Sequence, residues 1–340
     1  MIKVAINGFG RIGRLTLRHI LKNQPNIEVL AINDLDSADA LAHLFKYDSS
    51  YGIYDKSVEV KAGKMVVGRH NIEVFSEPNP EKLPWGKLGV EVVLECTGAF
   101  GTRELASKHL KAGAKKVIIS APSKDADIPS FVLGVNENDY DSQKDAIIDM
   151  GSCTTNCLAP VVKVLDDNFG IVNGFMTTVH SYTNDQRILD LVHKDLRRAR
   201  TAGANIIPTS TGASKTIGKI IPKLKGKIDG LAIRVPTQTV SLLDLVCNVD
   251  KPASVSGVNS AFKKAAKENN FQGILAVEEA PLVSMDFKGN TFSAIVDSLS
   301  TMANGKTVKV IAWYDNEWAY ACRLAEFAEF IGKKLHGPMA

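Results

Sequence analysis

The sequence lacks a long apolar run. None of its 340 residues lies in a stretch of the roughly 18 consecutive apolar residues that a membrane helix requires. Its first residues, Met1-Ile2-Lys3-Val4-Ala5, lack the basic region, long apolar segment and small-residue cleavage site of a secretory signal. We therefore expect a cytoplasmic protein with no membrane partner.

Cysteine is scarce, and its distribution excludes a disulfide framework. The five cysteines form an odd set spread over most of the chain: Cys96, Cys153, Cys157, Cys247 and Cys322. Secreted disulfide-stapled domains have even sets in short chains. No cluster of cysteine and histidine has the spacing of zinc ligands. The sequence predicts a reducing compartment and no metal site.

Neither sign of charge dominates. Lys and Arg number 41 and Asp and Glu 37, a net charge of +4 that is too small and scattered to indicate a polyanionic partner. No basic stripe with interleaved aromatic residues is present, so nothing requires a nucleic acid. Small phosphorylated ligands stay compatible. The apolar content of 45% is typical of a globular protein, and about 150 residues per domain predicts two domains.

The first half of the chain alternates short apolar runs with helical spacing. This alternation predicts a doubly wound, Rossmann-type α/β domain, because parallel strands need crossover connections. The predicted strands are Val4 to Asn7, Glu28 to Asn33, Val90 to Glu95, Lys116 to Ser120 and Phe131 to Val135, and the predicted helices are Arg11 to Asn23 and Thr102 to Ala112.

From about Gly170 the apolar runs lengthen and alternate with polar residues. This pattern predicts an α+β domain with a mostly antiparallel sheet. The predicted strands are Ile171 to His180, Ile228 to Val235, Thr239 to Val249, Thr291 to Asp297 and Thr307 to Trp313. The predicted helices are Cys157 to Asn168, Ser210 to Ile220, Ser256 to Asn269 and Glu317 to Leu335.

A glycine pattern lies between the first predicted strand and helix. In Gly8-Phe9-Gly10-Arg11-Ile12-Gly13, Gly8 permits a tight turn, Gly10 lets a pyrophosphate approach the backbone, and Gly13 allows close helix packing. Asp34 follows the second strand, where a carboxylate binds the adenosine ribose and repels a 2′-phosphate. The alternative for Asp34 is a cap on the next turn. Together these features predict a dinucleotide site that prefers NAD.

Cys153 stands at the entry to a predicted helix. Ser152 is a plausible N-cap, and the first-turn amides favour a thiolate, which makes Cys153 a candidate nucleophile. Cys157, one turn later, fits a buried apolar role. Among seven histidines, His180 is the favoured base because it ends a strand beside a polar loop, although spacing alone leaves the others open.

Several long motifs make the chain resemble the phosphorylating glyceraldehyde-3-phosphate dehydrogenase family over essentially its whole length. The motifs are Ala5 to Arg14, Ser152 to Cys157, Asp195 to Arg200, Ile206 to Ala213 and Trp313 to Trp318. The resemblance implies oxidation of glyceraldehyde 3-phosphate, with NAD as cofactor and inorganic phosphate as second substrate. Cys153 would form a thiohemiacetal and then a thioester, and His180 would take the proton.

The resemblance also implies the binding residues. Those for the substrate phosphate and the attacking phosphate are Ser152, Thr154, Thr183, Arg198, Thr211, Gly212 and Arg234. Those for the cofactor are Gly8, Gly10, Arg11, Ile12, Gly13, Asp34, Thr97, Gly98, Ser120, Asn316 and Tyr320. The predicted domains are an NAD-binding domain, residues 1–151 joined by a C-terminal helix over 317–335, and a catalytic domain over 152–316.

Members of this family are usually homotetramers, so the resemblance implies one here, with the loop from about Tyr182 to Ala204 at a neighbour's cofactor site. Three other functions stay open. An erythrose-4-phosphate dehydrogenase would share Cys153 and His180, a Cys/His acyl transferase would need no dinucleotide, and an RNA-binding protein would use the basic loop and the dinucleotide crevice.

Overall fold

The computed structural model describes residues 1–337 and divides the chain into two compact units. Unit 1 comprises Met1–Phe131, Asn138–Met150 and the described residues from Ala321 onward. Unit 2 comprises Val132–Glu137 and Gly151–Tyr320. Within residues 1–337, no helix is both long enough and apolar enough to cross a bilayer.

Unit 1 is built on an eight-stranded sheet with the order β10-β9-β8-β1-β2-β7-β6-β5. The strands of unit 1 are β1 (Ile2–Asn7), β2 (Ile27–Asn33), β3 (Tyr47–Asp48), β4 (Gly52–Ile53), β5 (Val58–Lys61), β6 (Lys64–Val67), β7 (His70–Phe75), β8 (Val92–Glu95), β9 (Lys116–Ile119) and β10 (Ile147–Asp149). Its first four helices are α1 (Arg11–Asn23), α2 (Ala38–Lys46), α3 (Trp85–Leu88) and α4 (Arg103–Lys111).

The centre of this sheet is parallel, and one edge is antiparallel. β1 pairs in parallel with β2 on one side and β8 on the other, while β5, β6 and β7 pair antiparallel. The chain leaves β1 toward β2 and later returns on the opposite side at β8. That reversal beside β1 is the switch point at which doubly wound sheets bind ligands, at the carboxyl ends of the strands.

Unit 2 is built on a seven-stranded sheet with the order β12-β13-β11-β14-β17-β16-β15. Its strands are β11 (Ile171–Ser181), β12 (Ile207–Ser210), β13 (Ile228–Val235), β14 (Ser241–Val249), β15 (Leu275–Glu278), β16 (Ala294–Asn304) and β17 (Thr307–Tyr314). Its helices are α5 (Cys153–Phe169), α6 (Ala213–Ile220) and α7 (Val255–Ala265), and the last helix, α8 (Trp318–His336), begins in unit 2.

The sheet of unit 2 is mostly antiparallel, as predicted. Four of its pairs are antiparallel, and two, β11–β13 and β15–β16, are parallel. Helix α5 lies in the core of this unit, where its side chains from Leu158 to Leu165 pack with Leu243, Leu245 and Val310 of the sheet. This packing fixes the position at which α5 begins.

The predicted strand over Phe131 to Val135 is wrong. Phe131 donates its amide to Asp149 O at 2.9 Å, and the chain then turns, with Val135 N bonded to Val132 O at 3.1 Å. Gly134 has φ +82°, a left-handed conformation that a strand cannot contain. The strand that pairs with β9 is instead β10, Ile147–Asp149, which the pattern did not reveal.

Several predicted boundaries also shift. Helix α5 begins four residues earlier than predicted, at Cys153. Helix α6 begins at Ala213 because Ile207–Ser210 forms strand β12 against β13. Helix α7 ends at Ala265, and β16 runs from Ala294 to Asn304.

Candidate active site

The glycine turn after β1 has three positions with different requirements. Gly8 has φ +91°, and a Cβ there would lie 2.6 Å from Thr97 N. A Cβ on Gly13 would lie 2.2 Å from Gly8 O. Around Gly10, by contrast, no atom lies within 4 Å of such a Cβ. The fold therefore requires glycine at 8 and 13, and the open space at Gly10 fits the approach of a ligand.

The start of α1 fits the pyrophosphate of a dinucleotide. Its N-cap residue is Gly10, and the first turn contains no acidic residue. A glycine cap has no side chain to accept hydrogen bonds from the first-turn amides, which include those of the predicted ligands Ile12 and Gly13. Such a helix start favours an anion, because its amides and dipole present positive charge.

Asp34 and Arg11 have fixed positions beside this turn. Asp34 Oδ2 accepts the Phe9 amide at 2.6 Å, which holds the carboxylate at the end of β2. The Arg11 guanidinium donates to both oxygens of Asp48, at 2.5 and 3.3 Å. The side chain of Arg11 thereby attaches the segment around Asp48 to α1.

Thr97, Gly98 and Ser120 follow β8 and β9, at the carboxyl edge of the parallel sheet. Thr97 donates its amide, at 2.8 Å, and its hydroxyl to the carboxylate of Glu95. His109 Nε2 lies 3.1 Å from the same carboxylate. Sequence reasoning missed this buried pair, although a glutamate that ends the apolar run Val92–Glu95 was a signal for it.

We expect Gly8→Ala to lower the stability of the fold and Gly10→Ala to lower its affinity for NAD. Alanine at position 8 must adopt a positive φ and contact the backbone of Thr97, so it should lower the free energy of unfolding by at least about 1–3 kcal/mol. Alanine at position 10 meets no atom, so stability should be unchanged, while NAD affinity should fall about tenfold or more, equivalent to about 1.4 kcal/mol.

Thermal unfolding and calorimetric titration with NAD test this pair. Each variant serves as the control for the other, since both add one methyl group to the same turn. A Gly10→Ala variant that binds NAD as tightly as the original chain would contradict the assignment of this turn to the pyrophosphate.

Cys153 is the first residue of α5, and Ser152 and Thr155 cap the start of this helix. Ser152 Oγ accepts the Thr155 amide at 3.1 Å, and Thr155 Oγ1 accepts the Ser152 amide at 3.2 Å. This reciprocal capping box holds the backbone at the point where Cys153 leaves it. The predicted cap at Ser152 matches this geometry. Cys153 is partly exposed, whereas Cys157 is buried.

His180 and Arg234 complete a cluster around the thiol. Cys153 Sγ lies 3.5 Å from His180 Nε2, and Arg234 Nη1 lies 2.8 Å from His180 Nδ1. The cluster follows from strand register, because β11 and β13 pair in parallel with His180 opposite Arg234. A thiol with an imidazole beside it, itself oriented by a third group, is the arrangement of nucleophilic catalysis.

Burial sets the charge of this cluster. It raises the pKa of the Cys153 thiol, although the charge of Arg234 and hydrogen bonds from Thr154 and the Cys153 amide act in the opposite direction. Burial and then the charge of Arg234 lower the pKa of His180 to about 3. Burial therefore opposes the charged form of both groups. The helix start favours the thiolate, and burial, which the sequence does not report, acts against it.

Tyr314 packs against this cluster, and sequence reasoning did not identify it. Its hydroxyl lies 2.9 Å from Thr154 Oγ1 and 2.7 Å from Thr178 Oγ1, and its ring meets the His180 ring edge-on at 6.1 Å. Thr154 is buried, with 3% exposure, and its hydroxyl is used in this contact. Because β17 is an apolar run, the sequence did not indicate the contacts of the Tyr314 hydroxyl.

The other predicted phosphate residues lie on β12 and its neighbouring loops. Arg198 donates to Thr209 Oγ1 at 2.9 Å and Ser210 O at 3.0 Å, and it pairs with Asp185. Because β12 pairs with β13, these contacts bring Arg198 to the strand beside Arg234. Gly212 is the N-cap of α6, and Thr211 Oγ1 accepts the Ala213 amide at 3.2 Å.

The remaining predicted residues of unit 2 also make hydrogen bonds within that unit. Thr183 N donates to Gln186 Oε1 at 3.3 Å. Ser241 Oγ donates to Asn316 Oδ1 at 3.0 Å, which sets the orientation of the Asn316 amide. Tyr320 donates its hydroxyl to the Gly151 carbonyl at 2.9 Å, close in sequence to Ser152 and Cys153.

We expect His180 to make the fold labile to acid. Its pKa is about 3 in the folded chain and about 6.5 when unfolded, so between these values the unfolded state binds more protons. Stability is then lost as the pH falls from about 6.5 toward 3. At pH 4.5 this loss should be about 2–3 kcal/mol.

Denaturant unfolding at pH 7 and pH 4.5 measures this loss in the original chain and in His180→Asn. The carboxylates titrate alike in both proteins and cancel in the difference. Equal acid destabilisation of the two proteins would contradict a neutral, buried His180.

Two sets of observations define the class of the protein. Unit 1 has a doubly wound sheet and a glycine turn that fits a dinucleotide, and unit 2 carries a thiol beside an imidazole. This class is the NAD-dependent oxidoreductases. A family model described as the glyceraldehyde 3-phosphate dehydrogenase NAD binding domain matches residues 2–103, and one described as the C-terminal domain of the same enzyme matches residues 152–316. The chain therefore belongs to the glyceraldehyde-3-phosphate dehydrogenase family.

Curated relatives agree with this assignment over nearly the full length. The chain is 56% identical over 334 residues to glyceraldehyde-3-phosphate dehydrogenase of Geobacillus stearothermophilus, covering 98% of this chain and 99% of the relative. Identity and coverage are the same for the enzyme of Priestia megaterium and for glyceraldehyde-3-phosphate dehydrogenase 1 of Bacillus subtilis. The resemblance, the fold class and NAD as cofactor are thereby confirmed.

Proposed function

We propose that the chain catalyses the NAD-dependent, phosphorylating oxidation of D-glyceraldehyde 3-phosphate to 1,3-bisphosphoglycerate, a step of glycolysis and gluconeogenesis. The observation that carries this proposal is the 3.5 Å approach of Cys153 Sγ to His180 Nε2 at the start of α5, in a chain of this family. A thiol that attacks an aldehyde conserves the oxidation energy as a thioester, which phosphate can capture.

Cys153 and His180 perform the first half of the reaction. Cys153 Sγ attacks the aldehyde carbon, and the proton of the thiol passes to His180, whose Nε2 lies 3.5 Å from Sγ. The Cys153 amide and the His180 imidazole stabilise the oxyanion of the thiohemiacetal. His180 returns this proton to the oxyanion, which forms the hydroxyl of the thiohemiacetal, and it takes the proton back when the adduct is oxidised. NAD, when bound, would supply the acceptor for the hydride of this carbon, which would leave a thioester on Cys153.

Two anion sites serve the reaction. Thr183 and Arg234 bind the phosphate of the substrate, and Ser152, Thr211, Gly212 and Arg198 bind the attacking phosphate. Arginine suits this task because its planar guanidinium donates two parallel hydrogen bonds to phosphate. Phosphate attacks the acyl carbon, the C–S bond breaks, and Cys153 regains its proton from His180.

Each unit carries some of the predicted cofactor residues. In unit 1, Gly8, Gly10 and the start of α1 receive the pyrophosphate, and Asp34 binds the ribose. The residues after β8 and β9, Thr97, Gly98 and Ser120, line the same edge of the sheet. In unit 2, Asn316 and Tyr320 serve the nicotinamide. The NAD-binding domain comprises residues 1–151 with helix 317–335, and the catalytic domain residues 152–316.

The protein acts as a cytoplasmic homotetramer. Support comes from exposed apolar side chains on the loop from Tyr182 to Ala204. These are Ile188, Leu189, Leu191, Val192 and Leu196, which are 63–87% exposed in the single chain. Apolar groups concentrated in this way are typical of surfaces that bind another chain. Light scattering of the purified protein measures the state directly, and a monomer would contradict it.

Absorbance of NADH with glyceraldehyde 3-phosphate tests the proposed activity. We expect sustained NADH formation with NAD and inorganic phosphate, and formation limited to about one equivalent per chain without phosphate. Erythrose 4-phosphate at the same concentration separates the related dehydrogenase, which would favour that aldehyde. NADH formation that is sustained to the same rate without phosphate would contradict the phosphorylating reaction.

A further inference from the structure

Ser241 lies between the ends of two strands that lead to site residues. In the sheet of unit 2, β14 lies between β11, which ends at Ser181, and β17. Both pairings are antiparallel, so β14 begins where its two neighbours end. Ser241 is the first residue of β14 and pairs with Tyr314 of β17, two residues before Asn316. Strand register therefore brings the Ser241 side chain close to both segments.

The hydroxyl of Ser241 connects these two segments. Its Oγ accepts the Ser181 amide at 3.2 Å and donates to Asn316 Oδ1 at 3.0 Å. Ser241 is 1% exposed and Asn316 is 5% exposed, so both contacts are buried. A backbone amide only donates, and the hydroxyl hydrogen then needs an acceptor, because a buried donor without a partner is costly. Asn316 Oδ1 is that acceptor.

The contact with Ser241 decides which end of the Asn316 amide is available to a ligand. Oδ1 is engaged by the hydroxyl, whereas Nδ2 makes no hydrogen bond to any of the residues 1–337 that the structure describes. The Nδ2 group only donates, so a ligand at this position has to offer an acceptor. The carboxamide oxygen of nicotinamide is such an acceptor. With the amide turned over, the ligand would have to offer the carboxamide NH2 group instead.

The same hydroxyl ties Asn316 to the residue that follows His180. The carbonyl oxygen of Ser181 lies 2.7 Å from His180 Nδ1 and 3.1 Å from Arg234 Nη1, while the Ser181 amide donates to Ser241. Both backbone polar groups of Ser181 are thus used within the site. Ser241 therefore links the strand end that carries the imidazole to the amide predicted to bind the cofactor.

The residue before Ser241 has a strained backbone. Val240 has φ +68°, in the left-handed region that β-branched residues rarely adopt. Its carbonyl accepts the Ser181 hydroxyl at 2.7 Å, and its side chain is buried. Strain of this kind persists only where the surroundings fix it, and it is typical of functional sites. The position of Ser241 is therefore set by more than the hydrogen bonds of the sheet.

We propose that Ser241 is a positioning residue for the nicotinamide, whose hydroxyl holds the Asn316 amide with Nδ2 toward the carboxamide oxygen. An amide that turns freely binds the carboxamide in two orientations. The nicotinamide ring then rotates about its bond to the ribose and presents either face to the substrate. Ser241 thus acts on the choice of face as well as on affinity. This inference rests on the proposed function, since it assigns the nicotinamide to Asn316.

Calorimetric titration with two ligands tests the role of Ser241 in binding. ADP-ribose carries the adenosine, the pyrophosphate and the second ribose of NAD but no nicotinamide. In Ser241→Ala, we expect the Kd for NAD to rise about tenfold, as for the loss of a buried hydrogen bond, and the Kd for ADP-ribose to change less than about twofold. An NAD affinity that is unchanged, or that falls in equal proportion to that of ADP-ribose, would overturn the proposal.

Ser298→Ala is the matched control for this variant. Ser298 is a buried serine of the same sheet, on β16, and its hydroxyl donates to Glu278 O at 2.7 Å. The substitution therefore removes a buried hydroxyl and a hydrogen bond, as Ser241→Ala does, but at a position without contact to Asn316. Both Kd values should be those of the unaltered chain.

The unaltered chain provides a test that does not depend on a variant. Acetylpyridine adenine dinucleotide keeps the carbonyl oxygen of the nicotinamide and has a methyl group in place of the NH2 group. Because Nδ2 needs only the oxygen, the Kd of this analogue should lie nearer to that of NAD than to that of ADP-ribose. A Kd nearer to that of ADP-ribose would overturn the proposal, even where Ser241→Ala fails to fold.

Deuterium transfer tests the choice of face. With glyceraldehyde 3-phosphate deuterated at the aldehyde carbon, the label moves to C4 of the nicotinamide, and proton NMR of the isolated cofactor shows which face received it. We expect one labelled face in the unaltered chain and in Ser298→Ala, and both faces in Ser241→Ala. A variant that is only less stable would lose rate but keep one face, so a single labelled face in Ser241→Ala would overturn the proposal.

The two kinds of measurement separate this inference from the proposed function. The titrations need no substrate, so they decide the role of Ser241 whether or not the chain oxidises glyceraldehyde 3-phosphate. An unaltered chain that forms no NADH from this aldehyde would contradict the proposed function alone.

Discussion

Replacing Cys153 with alanine should reduce the rate of NADH formation by at least about 10⁴-fold, the scale on which enzymes lose activity when their nucleophile is removed. Without Sγ no thiohemiacetal forms, and His180 has no adduct to deprotonate. The binding of NAD should persist, because the glycine turn and Asp34 belong to unit 1, whereas Cys153 belongs to unit 2. Steady-state absorbance gives the rate, and calorimetric titration gives the affinity.

Cys157→Ala is the matched control for this variant. Cys157 lies one turn later in the same helix and is fully buried in the core of unit 2, where burial raises its pKa well above the usual value. Its loss should cost stability through a small cavity, typically about 1 kcal/mol, and leave turnover intact. Full activity in Cys153→Ala, or a comparable loss in Cys157→Ala, would refute the assignment of the nucleophile.

His180→Asn should lower kcat by about 10²–10⁴-fold, the usual contribution of a positioned general base. Asparagine keeps a hydrogen-bonding side chain on β11 but cannot accept the thiol proton. The loss should be large because burial raises the pKa of the Cys153 thiol, so the proton needs an acceptor within the site. A stopped-flow measurement of the first turnover separates this step from product release.

His43→Asn is the matched control, since His43 is exposed on α2 and lies in unit 1. It should turn over as the original chain does. If His180→Asn retained more than about a tenth of the original rate, the proton would have another acceptor and the role of His180 would be wrong.

Local patterns predicted the elements that carry the site, and for physical reasons. The glycine turn, the helix from Arg11 to Asn23 and the strand from Ile228 to Val235 depend on residues close in sequence, and their bounds match. The capping of α5 by Ser152 is also local. These features follow from periodicity and cap chemistry, which a sequence displays directly.

The contacts that set the chemistry are distant in sequence. Cys153 and His180 are 27 residues apart, and His180 and Arg234 are 54 apart. Their approach depends on the parallel register of β11 and β13, which no local pattern encodes. Sequence reasoning named Cys153 and His180 from local chemistry and Arg234 through the resemblance to a family, but it could not report the contact of Arg234 with Nδ1.

The wrongly predicted strand shows what a local apolar pattern does not report. Phe131 to Val135 is apolar enough for a strand, yet the two ends belong to different units, Phe131 to unit 1 and Val132 to unit 2. Their apolar side chains therefore join separate cores. A hydrophobic run indicates burial, but it does not show which core receives it.

Intact-mass measurement of the chain during a single turnover tests the central claim most directly. The chain is mixed with NAD and glyceraldehyde 3-phosphate in the absence of inorganic phosphate and quenched in acid, which preserves a thioester. The account predicts one acyl group per chain, located on the peptide that contains Cys153, and its disappearance as inorganic phosphate is added. NADH formation without any acyl group on Cys153 would contradict the account.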